Sequence, residues 1–345
     1  MKIRIFCFPL AIILALSFAE LQPAECAGLQ RRAALDSLAS DIARLGYIPS
    51  GGRFIVLAAS NGWLTLVSGV RLLPQQSEEF QSALTDTSGM RRFYGSAPFG
   101  PGEDAVLITA PSPICRPSGV QLSVEPGDRV VFRIEDIFLL NDPAAALRTP
   151  EMEVTGIVPD SSGVFAFTAD SPGVYWFEVM HRTAGGPSVA LLFPVISGGS
   201  AQDILSGEMP VFSSGANTPE EILEEINALR ARRGVNPLTR TEELDRAAAA
   251  RAGRLALAGS WSHFGPETGS LSEELPDTVT VFGENIARGR GYSEAWSMIL
   301  LSPFHLDACL RPEYRLIGLA GAVDPSDYQW QLVLVQVMTG GNGTI

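Results

Sequence analysis

Lysine is almost missing from this sequence: Lys2 is the only one among 25 basic residues, which face 38 acidic ones for a net charge of −13. No block of bases breaks that balance, so the chain is a poor partner for a phosphate backbone, and nucleic acid is not expected to bind. Histidine is scarce as well, with His181, His263 and His305 the only three. The four cysteines, Cys7, Cys26, Cys115 and Cys309, are too few and too scattered for a disulfide framework. Past the N-terminus no apolar run reaches bilayer length, so no transmembrane segment is expected in the mature chain. What is present is a globular composition, 46% hydrophobic and 18% charged over 345 residues, with material for two or three packed domains.

The N-terminus has the pattern of a cleaved secretory signal over residues 1–19. Lys2 and Arg4 precede an apolar run from Ile5 to Leu16, and Ser17-Phe18-Ala19 supplies the small-residue site. Losing Lys2 and Arg4 from −13 leaves −15 and a mature protein without lysine. Glu25 before Cys26 puts a carboxylate where a lipoprotein site takes a small residue, which argues against lipidation. The expected location is therefore secreted or extracytoplasmic.

Residues 28–110 read as a small α+β segment of no evident chemistry. Leu35, Leu38, Ile42 and Leu45 recur at helical spacing before Gly46, and the apolar runs Phe54 to Ala59 and Trp63 to Val70 suit strands. Over residues 111–196 short apolar runs alternate with turns such as Pro126-Gly127-Asp128 and Ser171-Pro172-Gly173, the pattern of a β-sandwich. Residues 121–196 hold no cysteine and offer a single histidine, His181, beside Met180 toward a copper site, and a lone histidine at a strand end is ordinarily structural. Residues 197–217, rich in glycine and serine, read as a linker.

Residues 218–340 carry the strongest signals. Thr218 caps a helix with Pro219 at its first position, and a second helix opens after Thr241, runs through an alanine-rich stretch and stops at Gly259. Two strands follow, Leu316 to Val323 and Gln331 to Val337, the latter apolar on both faces and so central.

Within this part Asn227-Ala-Leu-Arg-Ala-Arg-Arg-Gly-Val-Asn-Pro-Leu238, Ser262-His263, Gly283-Glu284-Asn285-Ile286-Ala287, Glu294-Ala295-Trp296, Ser302-Pro303-Phe304-His305 and Tyr328-Gln329-Trp330 occur in order. Together they resemble the CAP superfamily (SCP; cysteine-rich secretory, antigen 5 and pathogenesis-related 1) in its bacterial form. The resemblance implies an α/β/α sandwich as the last part of an α+β multidomain chain. It further implies an open cleft lined by His263, Glu284, Glu294 and His305. Ala308 stands where such proteins often have asparagine, a departure outside those four residues.

Two imidazoles and two carboxylates are a plausible nitrogen and oxygen donor set for zinc or another divalent metal, with His263 and His305 as ligands, or an acid/base pair. Asn285, Trp296 and Tyr328 are further candidate binding residues. Packing is the competing role for Trp296, Tyr328 and Trp330, and turn stabilisation for Asn285. Ser262 lacks the flanking glycines of a nucleophile elbow. The expected function is binding of a small apolar or carbohydrate ligand, or of an extracellular protein partner, in the cleft. The alternative is an extracellular hydrolase using the same residues.

Overall fold

The computed structural model describes residues 30–49, 51–65, 69–85, 91–102, 104–111, 114–211, 214–259, 262–276, 279, 281–324 and 331–340. The leader with Cys7 and Cys26, and Tyr328 and Trp330, lie outside the described residues.

Helix α1 (Ala33–Leu45) buries Leu35, Leu38, Ala39 and Ile42 and closes on Gly46, whose φ of 74° lets its N–H reach the carbonyls of Ile42 and Ala43. It lies on a four-stranded sheet ordered Gln30–Arg31, Arg91–Pro98, Asp104–Pro111, Gly69–Pro74. Gly95 makes that contact possible, because a Cβ there would stand 2.1 Å from the Leu35 carbonyl carbon. The run Phe54 to Ala59, expected as a strand, is instead part of helix α2 (Gly51–Ser60). A continuous apolar run has no period of its own, and here it serves two neighbours. Phe54, Leu57 and Ala58 join the core under α1, while Val56 faces the middle of the chain. Of the second expected strand, residues 63–65 form no strand and 66–68 lie outside the described residues, while Gly69–Pro74 is a strand, and the polar stretch after it carries α3 (Glu78–Thr85).

The middle of the chain forms two sheets that share one core. Val164–Thr168, Arg129–Glu135 and Arg116–Ser118 make one; Ser123–Val124, Gly186–Ser197, Gly173–Thr183, Ala144–Arg148 and Val154–Gly156 make the other. Phe132 and Phe165 from the first meet Phe177 and Phe193 from the second, with ring centroids 4.8 to 5.7 Å apart. Ala144–Arg148 escaped the sequence reading because its alanines carry little strand propensity.

The expected linker is not a bare strap. Within it Ser200 and Asp203 form a capping box that starts helix α4 (Ala201–Ser206), and Ile204 and Val211 are buried. They pack with Val56, Trp176 and Leu301, so all three parts of the chain meet in one apolar cluster. The glycines and serines marked the turns, and the short helix between them was too brief to show a period.

The C-terminal part stacks helices on both faces of an antiparallel-dominated sheet ordered Thr239–Arg240, Tyr314–Val323, Leu332–Gly340, Phe282–Gly289. Helix α6 (Glu242–Ala258) covers Val333, Val335 and Val337. Helices α5 (Pro219–Arg232), α7 (Tyr292–Leu301) and α8 (Pro303–Leu310) cover Leu334 and Met338 on the other face. The strand Leu332–Gly340 is therefore buried on both sides, which is why it reads as continuously apolar. Gly318 repeats the device of Gly95: a Cβ would stand 2.1 Å from the Leu244 carbonyl carbon of α6.

Candidate functional site

The cleft histidines reach one cavity from opposite sides of the C-terminal sheet's end. His263 follows α6, and its backbone carbonyl accepts from the Arg251 guanidinium at 2.9 Å. Arg251 is fully buried and also donates through Nε to Glu284 Oε1 at 2.8 Å and through Nη2 to the Ser262 carbonyl at 2.8 Å. Glu284, in the strand Phe282–Gly289, takes His263 Nδ1 on its other oxygen at 2.7 Å. Arginine, carboxylate and imidazole thus form a chain that ends in the cavity. Arg251 was missed from sequence, although an arginine on the alanine-lined, buried face of α6 is itself a signal of a buried partner.

His305 sits in the first turn of α8, after the N-cap residue Ser302, whose hydroxyl accepts the His305 backbone N–H at 3.2 Å. The same hydroxyl lies 2.7 Å from His305 Nδ1 and donates to Glu178 Oε2 at 2.7 Å. Phe304 N–H donates to that oxygen at 3.2 Å. Glu178 belongs to the middle of the chain, in Gly173–Thr183, and is fully buried. That strand is two-faced: Tyr175, Phe177 and Val179 enter its own core, whereas Trp176, Glu178 and Met180 turn toward the C-terminal part. Burial pushes the Glu178 carboxyl up to about 7. Burial, and secondarily the neighbouring His263, pushes His305 down to about 4, so its ring is neutral near pH 7.

Arg148 supplies a second key between the same parts. Buried in the strand next to Glu178's, it donates to the Leu300 carbonyl in the last turn of α7 at 2.9 Å. A cation therefore meets the C-terminal end of α7 and a carboxyl group the N-terminal end of α8, the placements that complement the two helix dipoles.

The cavity holds about 250 Å³. Phe264, Leu271, Phe282 and Phe304 give it an apolar lining, and His181 and Met180 close it from the middle of the chain. All three histidines of the protein thus line one cavity, including His181, which the sequence reading left as structural. The hairpin turn at Gly185 and Gly186 presses on residues 262–264, where Phe264 N–H donates to the Gly185 carbonyl at 3.0 Å.

Three expectations are corrected. Glu294 does not line the cavity: its carboxylate accepts Gly51 N–H at 3.0 Å and Arg290 Nε at 2.8 Å, tying α2 to α7. It lies at the start of α7, and the N-terminal part of the chain reaches it first. Trp296 is fully buried in the core and donates to Glu225 Oε2 at 2.7 Å, so it packs and does not bind. Asn285 stabilises no turn: it sits mid-strand, where its amide donates to the His305 carbonyl at 3.0 Å and to Gln336 Oε1 at 3.0 Å. It borders the cavity and holds α8 against the sheet. Tyr328 lies outside the described residues. Cys115 and Cys309 are both free and buried, and burial pushes each thiol up to about 12.

Among the described residues no three of the His, Cys, Asp and Glu side chains cluster as a metal would need, and no helix is long and apolar enough to cross a membrane. Glu284 has both oxygens committed and Glu294 is elsewhere, so neither carboxylate fits as a metal ligand. His263 and His305 are the remaining donors of that set, each held through Nδ1 with Nε2 left for a further contact.

Residues 223–338 match the Cysteine-rich secretory protein family, CAP. Among solved structures, an extracellular protein containing an SCP domain from Bacillus anthracis str. Ames aligns at a TM-score of 0.30 and 14% identity. That alignment covers 63% of this chain and 66% of that one, so the chain spans just under two thirds of its length. An outer surface protein of Borrelia burgdorferi aligns at 0.32 and 19%, over 37% of this chain and 98% of that one. A cysteine-rich secretory protein of Staphylococcus aureus subsp. aureus Mu50 aligns at 0.29 and 11%, over 62% and 76%. A search of the curated proteins finds no match.

Proposed function

We propose, from the match of residues 223–338 to the CAP family, that this protein is exported and acts as a binding protein whose cleft holds a small ligand with an apolar body and a polar end. The cavity itself carries this reading: about 250 Å³ lined by Phe264, Leu271, Phe282 and Phe304, with His263 and His305 on fixed hydrogen bonds among polar groups that also include His181, Arg182 and Arg311. An apolar ligand suits that lining better than a carbohydrate. The charged, apolar and small-residue order of residues 2–19 supports export.

A hydrolase reading finds less support. In a serine triad the imidazole stands between the serine and the carboxylate, whereas here the buried Ser302 stands between Glu178 and His305. Its proton goes to Glu178, away from the ring. A divalent metal such as zinc would be held by His263 and His305, with water or the ligand completing its shell, and would polarise a bound oxygen there.

Filling the cavity tests the reading. Ala308 borders the cavity from α8, and Ala308→Phe should abolish binding of a fluorescent long-chain alcohol, with unchanged circular dichroism. Undiminished binding would place the ligand elsewhere. Zinc titration separates the metal: His263→Ala and His305→Ala should each weaken binding at least tenfold, whereas Glu294→Gln should leave it unchanged.

A further inference from the structure

The two hydrogen-bond chains that end in the cavity have one direction each. Oε2 of Glu178 already accepts Phe304 N–H, and the Ser302 hydroxyl donates its single proton to the same oxygen. With that proton spent, Ser302 Oγ is an acceptor, and the Nδ1 2.7 Å from it must be the donor. This is the order for ionised Glu178; a proton on Oε2 would be donated to Ser302 Oγ and turn the hydroxyl proton toward Nδ1 instead. On the other side Glu284 accepts from Arg251 and, as a carboxylate, can only accept from His263 Nδ1 as well. Both rings thereby carry hydrogen on Nδ1, and the neutral His305 ring presents a lone pair on Nε2.

We propose that Glu178, acting through Ser302, is a positioning residue for His305, so that the middle of the chain sets which nitrogen faces the cleft and makes it select ligands whose polar end donates a hydrogen bond. This rests on the binding reading above and specifies its ligand class: an alcohol or amine on an apolar body, whose O–H or N–H donates to His305 Nε2. Glu178 has no other evident employment. It is fully buried, its hydrogen-bond partners are Ser302 and Phe304, and no cation pairs with it among the described residues. A buried carboxyl placed so is costly unless it organises its neighbours.

The experiment reads tautomers first and ligands second. With only three histidines, long-range proton–nitrogen spectra of the ¹⁵N-histidine-labelled chain near pH 8 show three ring systems, assignable by single substitutions. His305 should show the Nδ1–H pattern in the wild type. Glu178→Leu keeps the volume but removes the acceptor, which frees the Ser302 proton for Nδ1, so His305 should lose that pattern and take up Nε2–H. Ser302→Ala should do the same, and Glu178→Gln, whose amide oxygen still accepts, should keep the wild-type pattern. His263, held by Glu284, reports in every variant whether the cleft is still folded. An Nε2–H pattern in the wild type, or an Nδ1–H pattern that survives Glu178→Leu with His263 unmoved, overturns the role of Glu178.

Octan-1-ol and its methyl ether, which keeps the oxygen but has no hydrogen to donate, then probe the ligand class. The alcohol should bind at least tenfold more tightly, and Glu178→Leu should narrow the gap; equal affinity in the wild type overturns the selectivity. If neither binds while the tautomers are as expected, the binding reading and its ligand class fall and the positioning role stands.

Discussion

At the scale of single residues, the features that matter most are charged side chains in places where charge is unfavourable. Arg251, Glu178 and Arg148 are all buried and are partnered by backbone carbonyls, a hydroxyl or one carboxylate, although Arg148 Nε and Glu178 Oε1 have no hydrogen-bond partner among the described residues. Glu178 makes this measurable. Its folded value of about 7 lies above the 4.5 of an exposed glutamate, so between those values the native state holds a proton the unfolded chain has released. Its contribution is complete below about pH 4.5 and is lost as pH rises through 7, by up to about 3 kcal/mol. Glu178→Gln has no such proton. Its stability relative to wild type, measured by urea unfolding near pH 5 and pH 8, should rise by a few kcal/mol on going to the higher pH. His305, lowered to about 4, loses stability in the opposite sense, as pH falls from 6.5 toward 4, in both proteins alike. A difference between the two proteins that does not change with pH would contradict the buried, partly protonated Glu178.

At the scale of elements, helix ends and glycines decide how the layers approach. Thr218, Thr241 and Ser302 each cap a helix through the side-chain oxygen, and Gly46 and Gly259 close α1 and α6 in the left-handed region. Gly95 and Gly318 let a helix lie on a sheet backbone to backbone. Gly318→Ala puts a methyl where only 2.1 Å separates it from the Leu244 carbonyl carbon, and neither backbone can yield cheaply. The substitution should destabilise the protein by about 3 kcal/mol, the upper part of the range for overpacking, in chemical denaturation. A loss below ~0.5 kcal/mol would mean α6 can lift from the sheet. By contrast Gly215 has open space around it, and an alanine there serves as the control.

For the whole molecule, the cluster of Val56, Trp176, Ile204, Val211 and Leu301 joins the N-terminal helices, the middle sheets, the supposed linker and the C-terminal helices. Trp176 is fully buried at its centre. The chain should therefore unfold in a single transition. Trp176→Ala should remove about 3–5 kcal/mol and split that transition in two by calorimetry, as parts that shared a core come apart separately. One sharp transition at a lower temperature would show that the hydrogen bonds of Glu178 and Arg148 suffice to couple the parts.

Local signals determined much of this on their own. The caps at Thr218 and Thr241, the stop at Gly46, the strand Val164–Thr168 and the central strand near residue 335 depend on near neighbours in the chain, and a period or a cap states them directly. The motifs around His263, Glu284 and His305 likewise named residues that do meet in one cavity. Helix α2 was hidden because burial on both sides erases the period, and Glu294 was misplaced because its partner, Gly51, is 243 residues away. Glu178 and His181 were beyond reach for the same reason: each is an ordinary strand residue until another part of the chain folds over it. Which residues prefer a helix, a strand or a turn is a local free energy and can be read along the chain. Which carboxyl group stands behind a histidine depends on how the parts pack against one another, and only the tertiary structure decides that.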